Sequence, residues 1–272
     1  MISQNGKSTL ERLSACDRYL WLGEQMVVLR FVVCVVLPLL LSALRLLLYK
    51  SVFYCNVLIL YCAVASLAWK IMETYVARNR KRAAVYYQVA DCELFGIRWN
   101  KYLCGVEPLP EDVFFNINKR LSLDSYKNIY PSQIEHLPSN EAFLLSVSEM
   151  CKEQRAVHRN HLKMCKWIVA VGIVLIVVSS FLIFDMNMKG LLFYAILPCA
   201  PLVVWFSAIA DNCKKSENQL TMIEAVVKSS LEDEPSGKLN DMIQDYVYMY
   251  RDCTYLIPRI LKKKNHRILL VV

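Results

Sequence analysis

Glycine is scarce in this chain and histidine scarcer, with seven and four in 272 residues. No two glycines stand in a G-x-G arrangement, which excludes a dinucleotide fingerprint and a glycine-rich phosphate loop. The histidines fall into no His-Asp-Ser or Cys-His pattern, and there is no nucleophile elbow. Eleven cysteines are present, but no C-x-x-C pair. The nearest thing to a metal set is Cys151, His158, His161 and Cys165, three of which share one helix face. Structural zinc usually draws ligands from more than one element, so this reads as an interfacial helix face. Carboxylates such as Asp91, Glu93, Glu107, Glu111 and Asp112 have no metal or base pattern around them and read as solvated surface. Neither catalysis nor a cofactor is expected.

What the chain has in excess is apolar length. Four runs stand out, at residues 26–48, 52–69, 167–184 and 190–210. A helix needs about 20 mostly apolar residues to cross the hydrocarbon core of a bilayer. The last three runs carry no charged residue, and the first carries Arg30 and Arg45 near its ends, where long cations can snorkel outward. Hydrophobic residues make up 56% of the chain while charged residues still reach 21%, because the charges are segregated into blocks. Cys34, Cys55, Cys62 and Cys199 lie inside the runs, where cysteine behaves as a small apolar residue. Residues 1–25 have mixed charge and no short apolar core, and the first apolar run is too long for a signal core, so that run reads as a retained helix, not a cleaved signal.

Basic residues orient the runs. Lys70, Arg78, Arg80, Lys81 and Arg82 follow the second, Arg155, Arg159, Lys163 and Lys166 precede the third, and Lys214 and Lys215 follow the fourth. The two hairpin turns hold only Arg45 and Lys50, and Asp185 and Lys189. The positive-inside rule therefore places both termini and the long insert in the cytoplasm, where disulfides are rare. The expected architecture is an all-α membrane protein with four transmembrane helices in two hairpins, whose helices extend into a cytosolic helical bundle. Its segments are a cytosolic N-terminal helix (1–25), a first hairpin (26–69), a cytosolic sensor region (70–166), a second hairpin (167–210) and C-terminal cytosolic helices (211–272). The second span should run on to residue 95 and end at Gly96, with short helices at 111–121 and 238–261, and a long helix starting at Ser139.

The insert also reads as a binding surface. Tyr86, Tyr87, Trp99, Tyr102, Tyr126 and Tyr130 are interleaved with Arg98, Lys101, Arg120 and Lys127. Aromatic faces for stacking beside cations for phosphate suit a nucleotide, although tyrosines in such a bundle also serve as core.

Short motifs in a fixed order carry a resemblance along almost the whole chain. They are Gln4-Asn5 ahead of a helix with Leu10, Arg12-Leu13, Ala15 and Tyr19; residues 89–100 (VADCELFGIRWN); Tyr130-Pro131; the stretch 151–163; ILPCAPLVVW in the fourth run; and LIPRILKKKN near the C-terminus. In that order, around a two-plus-two hairpin layout, the chain resembles the SMODS-associated four-transmembrane effector family of bacterial CBASS antiphage defence. The resemblance implies a multi-pass protein of the bacterial inner membrane. Such an effector binds a cyclic di- or trinucleotide, breaches the lipid bilayer as a homo-oligomer and kills the infected cell. DNA and RNA are not expected partners. The spans hold too few polar residues (Ser42, Asn56, Ser66, Ser179, Ser180 and Ser207) to line a pore within one subunit. The candidate ligand residues are Arg98, Trp99, Asn100 and Lys101, Tyr126 and Tyr130, and Arg155 and Arg159. The alternatives are a constitutive channel, which would want more polar residues at mid-membrane depth, or a membrane scaffold without a nucleotide ligand.

Overall fold

The computed structural model describes residues 5–48, 52–130, 132–181, 197–232 and 237–259, and every regular element among them is helical. The first helix, α1 (Lys7–Phe31), passes through a π-helical turn (Val32–Val36) straight into α2 (Leu37–Leu48). Pro38 accounts for that turn. It lacks an N–H and its ring presses on the carbonyl one turn back, and a locally widened helix relieves both. The Leu37 N–H accordingly bonds the Val32 carbonyl, five residues back. The boundary expected near residue 25 is therefore not a break in the helix.

The second helix, α3 (Val52–Phe95), has 44 residues. At 1.5 Å per residue it is about 66 Å long, more than twice the ~30 Å hydrocarbon thickness. It ends where the sequence expects. Gly96 takes φ 68°, a left-handed conformation that favours glycine, and the Ile97 N–H bonds back to the Cys92 carbonyl at 3.2 Å. That six-to-one closure satisfies a carbonyl at the helix end. Two short helices follow, α4 (Lys101–Cys104) and α5 (Pro110–Phe115). Next come two 3₁₀ turns (Leu123–Tyr126 and Ser132–His136) and the long α6 (Ser139–Phe181). The last two helices are α7 (Leu197–Glu232) and α8 (Gly237–Cys253).

Two helices end earlier than the sequence suggests, each because tertiary hydrogen bonds take over its carbonyls and donors. The helix expected at 111–121 stops at Phe115. Asn118 is pulled onto α1, its N–H donating to Ser14 Oγ at 3.0 Å and its side chain to Asp17 at 2.6 Å. The helix expected at 238–261 stops at Cys253, where the Arg80 guanidinium grips the Asp252 and Thr254 carbonyls. Residues 255–258 then run without regular secondary structure, buried against the bundle.

α1 packs along α3, α6 along α7, and α8 lies against both α3 and α7. Small buried residues, Ala15 and Cys16 on α1 with Ala83 and Ala90 on α3, let the first pair approach closely. One hydrophobic cluster joins them to Phe143, Leu144 and Cys151 of α6, Leu220 and Ile223 of α7, and Ile243 and Val247 of α8. In the apolar runs the pattern inverts, and Leu40, Leu60, Leu67, Val174 and Val204 point outward. Among the described residues two helical stretches, Lys7–Leu41 and Ser139–Val178, are long and apolar enough to cross a membrane. The expected turn around Asp185 and Lys189 and the basic stretch after residue 259 lie outside the described residues.

Arg30 departs from the expectation of snorkelling. It is buried, ion-paired to Glu73 of α3, and its guanidinium sits 3.7 Å from the Trp69 ring centre. A charge with a carboxylate and an aromatic face within reach has no need to extend toward water.

Candidate ligand site

The connection that leaves α3 builds the site. After Gly96 the chain runs without regular secondary structure to Asn100, which is extended and N-caps α4: its Oδ1 accepts the N–H groups of Tyr102 at 3.1 Å and Leu103 at 3.3 Å. Trp99 is fixed from the other end of the same turn, donating Nε1–H to the Gly105 carbonyl at 3.0 Å. Gly105 itself has φ 80°. The turn docks on α8 through two carboxylates. The Arg98 N–H donates to Asp241 at 3.2 Å, and the Asn100 amide donates to Asp245 at 2.9 Å.

Between turn and helix lies a cavity of about 640 Å³, lined by Arg98, Trp99, Asn100, Lys101, Tyr102, Asp241 and Asp245. That size lies within the range of small-molecule sites. The side chains of Arg98 and Lys101 are exposed and form no ion pair among the described residues. Burial pushes the Asp245 carboxyl up from its ordinary range; the Asn100 hydrogen bond opposes this, and the nearby Asp241 adds to it. Aromatic planes, two cations and two hydrogen-bond-accepting carboxylates therefore face one space. Such a set can take an anion at one end and N–H or O–H donors at the other.

Of the eight residues singled out in the sequence, the structure brings four into this cavity: Arg98, Trp99, Asn100 and Lys101. The other four stand elsewhere. Tyr126 is buried and donates its hydroxyl to Asp17 at 2.9 Å, and Tyr130 is buried and donates to Asp91 at 2.6 Å. Burial raises both phenols, and the neighbouring carboxylates raise them further. Arg155 and Arg159 reach from α6 to α7, pairing with Glu224 at 2.5 Å and Glu217 at 2.9 Å. The expectation that these elements meet around one ligand is corrected. The tyrosines are internal polar anchors, and the two arginines clamp α6 to α7. Tyr102, one of the aromatics of the expected binding surface, joins the four in the cavity; sequence reasoning missed Asp241 and Asp245. The two aspartates stand four residues apart on an amphipathic helix, a spacing that puts both on one face.

Behind the site lies a buried polar network. Asp91 accepts from Tyr130, Gln244 and Arg251, and the Arg251–Asp91 pair, at 2.6 Å, is almost wholly buried. The Arg251 guanidinium also lies 3.7 Å from the Tyr87 ring centre. The histidine and cysteine face of α6 is packed inward. His158 lies 3.0 Å from the Tyr250 hydroxyl and 3.1 Å from that of Thr254, while His161 stacks on Tyr255 with ring centres 5.5 Å apart. Among the described residues no group of three or more His, Cys, Asp or Glu side chains is placed to hold a metal.

Compared with known families, residues 1–264 match the model described as the SMODS-associating 4TM effector domain. No curated protein and no solved structure matches the chain.

Proposed function

The chain belongs to the SMODS-associating 4TM effector family, a family of membrane effectors, and on that premise we propose that a cyclic di- or trinucleotide switches it into a membrane-disrupting state. In this reading the four apolar runs cross the bacterial inner membrane as two hairpins, with both termini and residues 70–166 in the cytoplasm. The observation that carries it is the cavity at the end of α3. Its cations would meet the phosphates, Trp99 and Tyr102 would meet the bases, and Asp241 and Asp245 would accept donors from base edges or ribose. The same α3 continues into the second apolar run, and α8 is joined through α7 to the fourth. A ligand drawing the α3 turn and α8 together would act on two membrane helices at once.

Permeation would require several copies. The described parts of the apolar runs turn apolar side chains outward all along the bundle, which suits lipid and neighbouring subunits. Beyond α4, Val106, Leu109, Phe114 and Phe115 are exposed on the polar insert, and such exposed apolar groups mark interaction surfaces. Arg155 and Arg159, clamping α6 to α7, would transmit the rearrangement without touching the ligand. The experiment is direct binding of cyclic di- and trinucleotides to the membrane-inserted protein. Wild type binds and Arg98→Ala with Trp99→Ala does not; equal affinity in both would overturn the site.

A further inference from the structure

α3 carries a second concentration of positive charge ahead of this site. Arg78, Lys81 and Arg82 recur at i, i+3 and i+4, so they share one helix face, and all three are exposed. Like charges at that spacing repel and weaken a helix. Arg12, Arg155, Arg159, Arg251 and Arg259 each meet a carboxylate. Among the described residues Arg78, Lys81 and Arg82 form no ion pair.

These three line a cavity of about 540 Å³ between α1, α3 and the α4–α5 connection. Two tyrosines line the same space. Tyr19 of α1 and Tyr86 of α3 stack with ring centres 5.6 Å and planes 11° apart. Asn116 ties them together, accepting from the Tyr19 hydroxyl at 2.8 Å and donating to the Tyr86 oxygen at 3.1 Å. The Arg82 guanidinium stands 5.5 Å from the Tyr19 ring centre. Two carboxylates, Glu107 and Asp112, also border the space, but Asp112 is engaged by the Leu109 N–H at 3.3 Å.

We infer that this cavity is a second binding site, for a small soluble phosphate-bearing molecule. Side chains three and four apart on a helix start about 5–6 Å from each other. Two guanidinium forks and an ammonium at that spacing can converge on one phosphoryl group or on two linked ones, with charge-assisted hydrogen bonds. A lipid headgroup offers the same chemistry, but distance argues against it. With α3 in the membrane as proposed above, Arg78 and Arg82 lie about 13 and 20 Å beyond Trp69. The headgroup layer is only about 5–8 Å deep on each side. The binding itself does not depend on a ligand in the Trp99 cavity.

The test uses the full chain in phosphatidylcholine nanodiscs titrated with inorganic pyrophosphate and with ADP, followed by thermal melting and calorimetry. Wild type is expected to bind pyrophosphate and melt higher. The combined Arg78→Gln, Lys81→Gln, Arg82→Gln variant should bind roughly tenfold or more weakly, the weight of one lost charge-assisted bond. Should that variant fold poorly, the single exposed change Lys81→Glu must show a loss in the same direction. Arg98→Ala retains pyrophosphate binding; loss there instead would place the phosphate in the other cavity and overturn the inference. So would the absence of binding in wild type, or undiminished binding in the triple variant. A response seen only when the discs contain phosphatidylglycerol would assign the cations to headgroups and overturn the soluble ligand.

Discussion

Asp91 of α3 joins three parts of the helical bundle, accepting from Tyr130 ahead of α6 and from Gln244 and Arg251 of α8. Removing one partner of a buried ion pair leaves an uncompensated charge and typically costs about 3–5 kcal/mol. Arg251→Ala should therefore lower unfolding stability by about that much in detergent. Arg159→Ala, whose partner Glu217 is exposed, should cost below about 1 kcal/mol. Chemical denaturation of the two variants side by side checks the contrast. Asp245 gives a pH signature. Its carboxyl is raised because the charged form is disfavoured where it sits. Protonation therefore begins at higher pH than for an ordinary aspartate, and it removes a negative charge from beside Arg98 and Lys101. Binding of an anionic ligand in that cavity should strengthen as pH falls toward the raised value and weaken as pH rises through it. In Asp245→Asn the dependence should largely vanish, which a titration of affinity against pH would show.

At the scale of elements, the end of α3 decides whether the ligand turn exists in its present form. Gly96 holds φ 68° with nothing within 4 Å of a Cβ placed there, so a substitution meets conformational strain and no clash. Gly96→Ala should cost about 1–2 kcal/mol and loosen the Trp99 turn, measurable as weaker ligand binding with the helix content unchanged. This stop was legible in the sequence, because a glycine after 26 residues without proline or glycine has few other readings. The long helices were legible for the same reason, their apolar runs passing into charged stretches with no breaker between. Half the candidate site could be read as well, since Arg98–Lys101 is a local cluster. The rest could not. Tyr126 and Tyr130 look like binding aromatics until Asp17 and Asp91 are found beneath them, from segments 109 and 39 residues away. Arg155 and Arg159 look free until α7 supplies Glu224 and Glu217. Chain ends of α5 and α8 failed similarly, set by distant hydrogen-bond partners and not by local propensity.

The whole molecule joins a basic helical bundle to apolar helices, and its net charge of +8 suits both anionic ligands and anionic lipid. The proposed orientation puts Cys253 inside the cell. That thiol is exposed on the bundle, so a membrane-impermeant maleimide should label it in inverted vesicles and miss it in intact cells. Cys104 is buried and should stay silent from either side until the protein unfolds. Labelling of Cys253 in intact cells would reverse the topology and put the ligand cavity on the wrong side for a cytosolic signal.

The central claim, that ligand binding at the α3–α8 cavity opens the membrane, is tested most directly by dye release from liposomes carrying the purified protein. A panel of cyclic di- and trinucleotides would be added to wild type and to the combined Arg98→Ala, Trp99→Ala variant. Release should be absent without nucleotide, appear with one member of the panel, and fail in the variant although it inserts normally. Constant release without nucleotide, or none with any member of the panel, would contradict it.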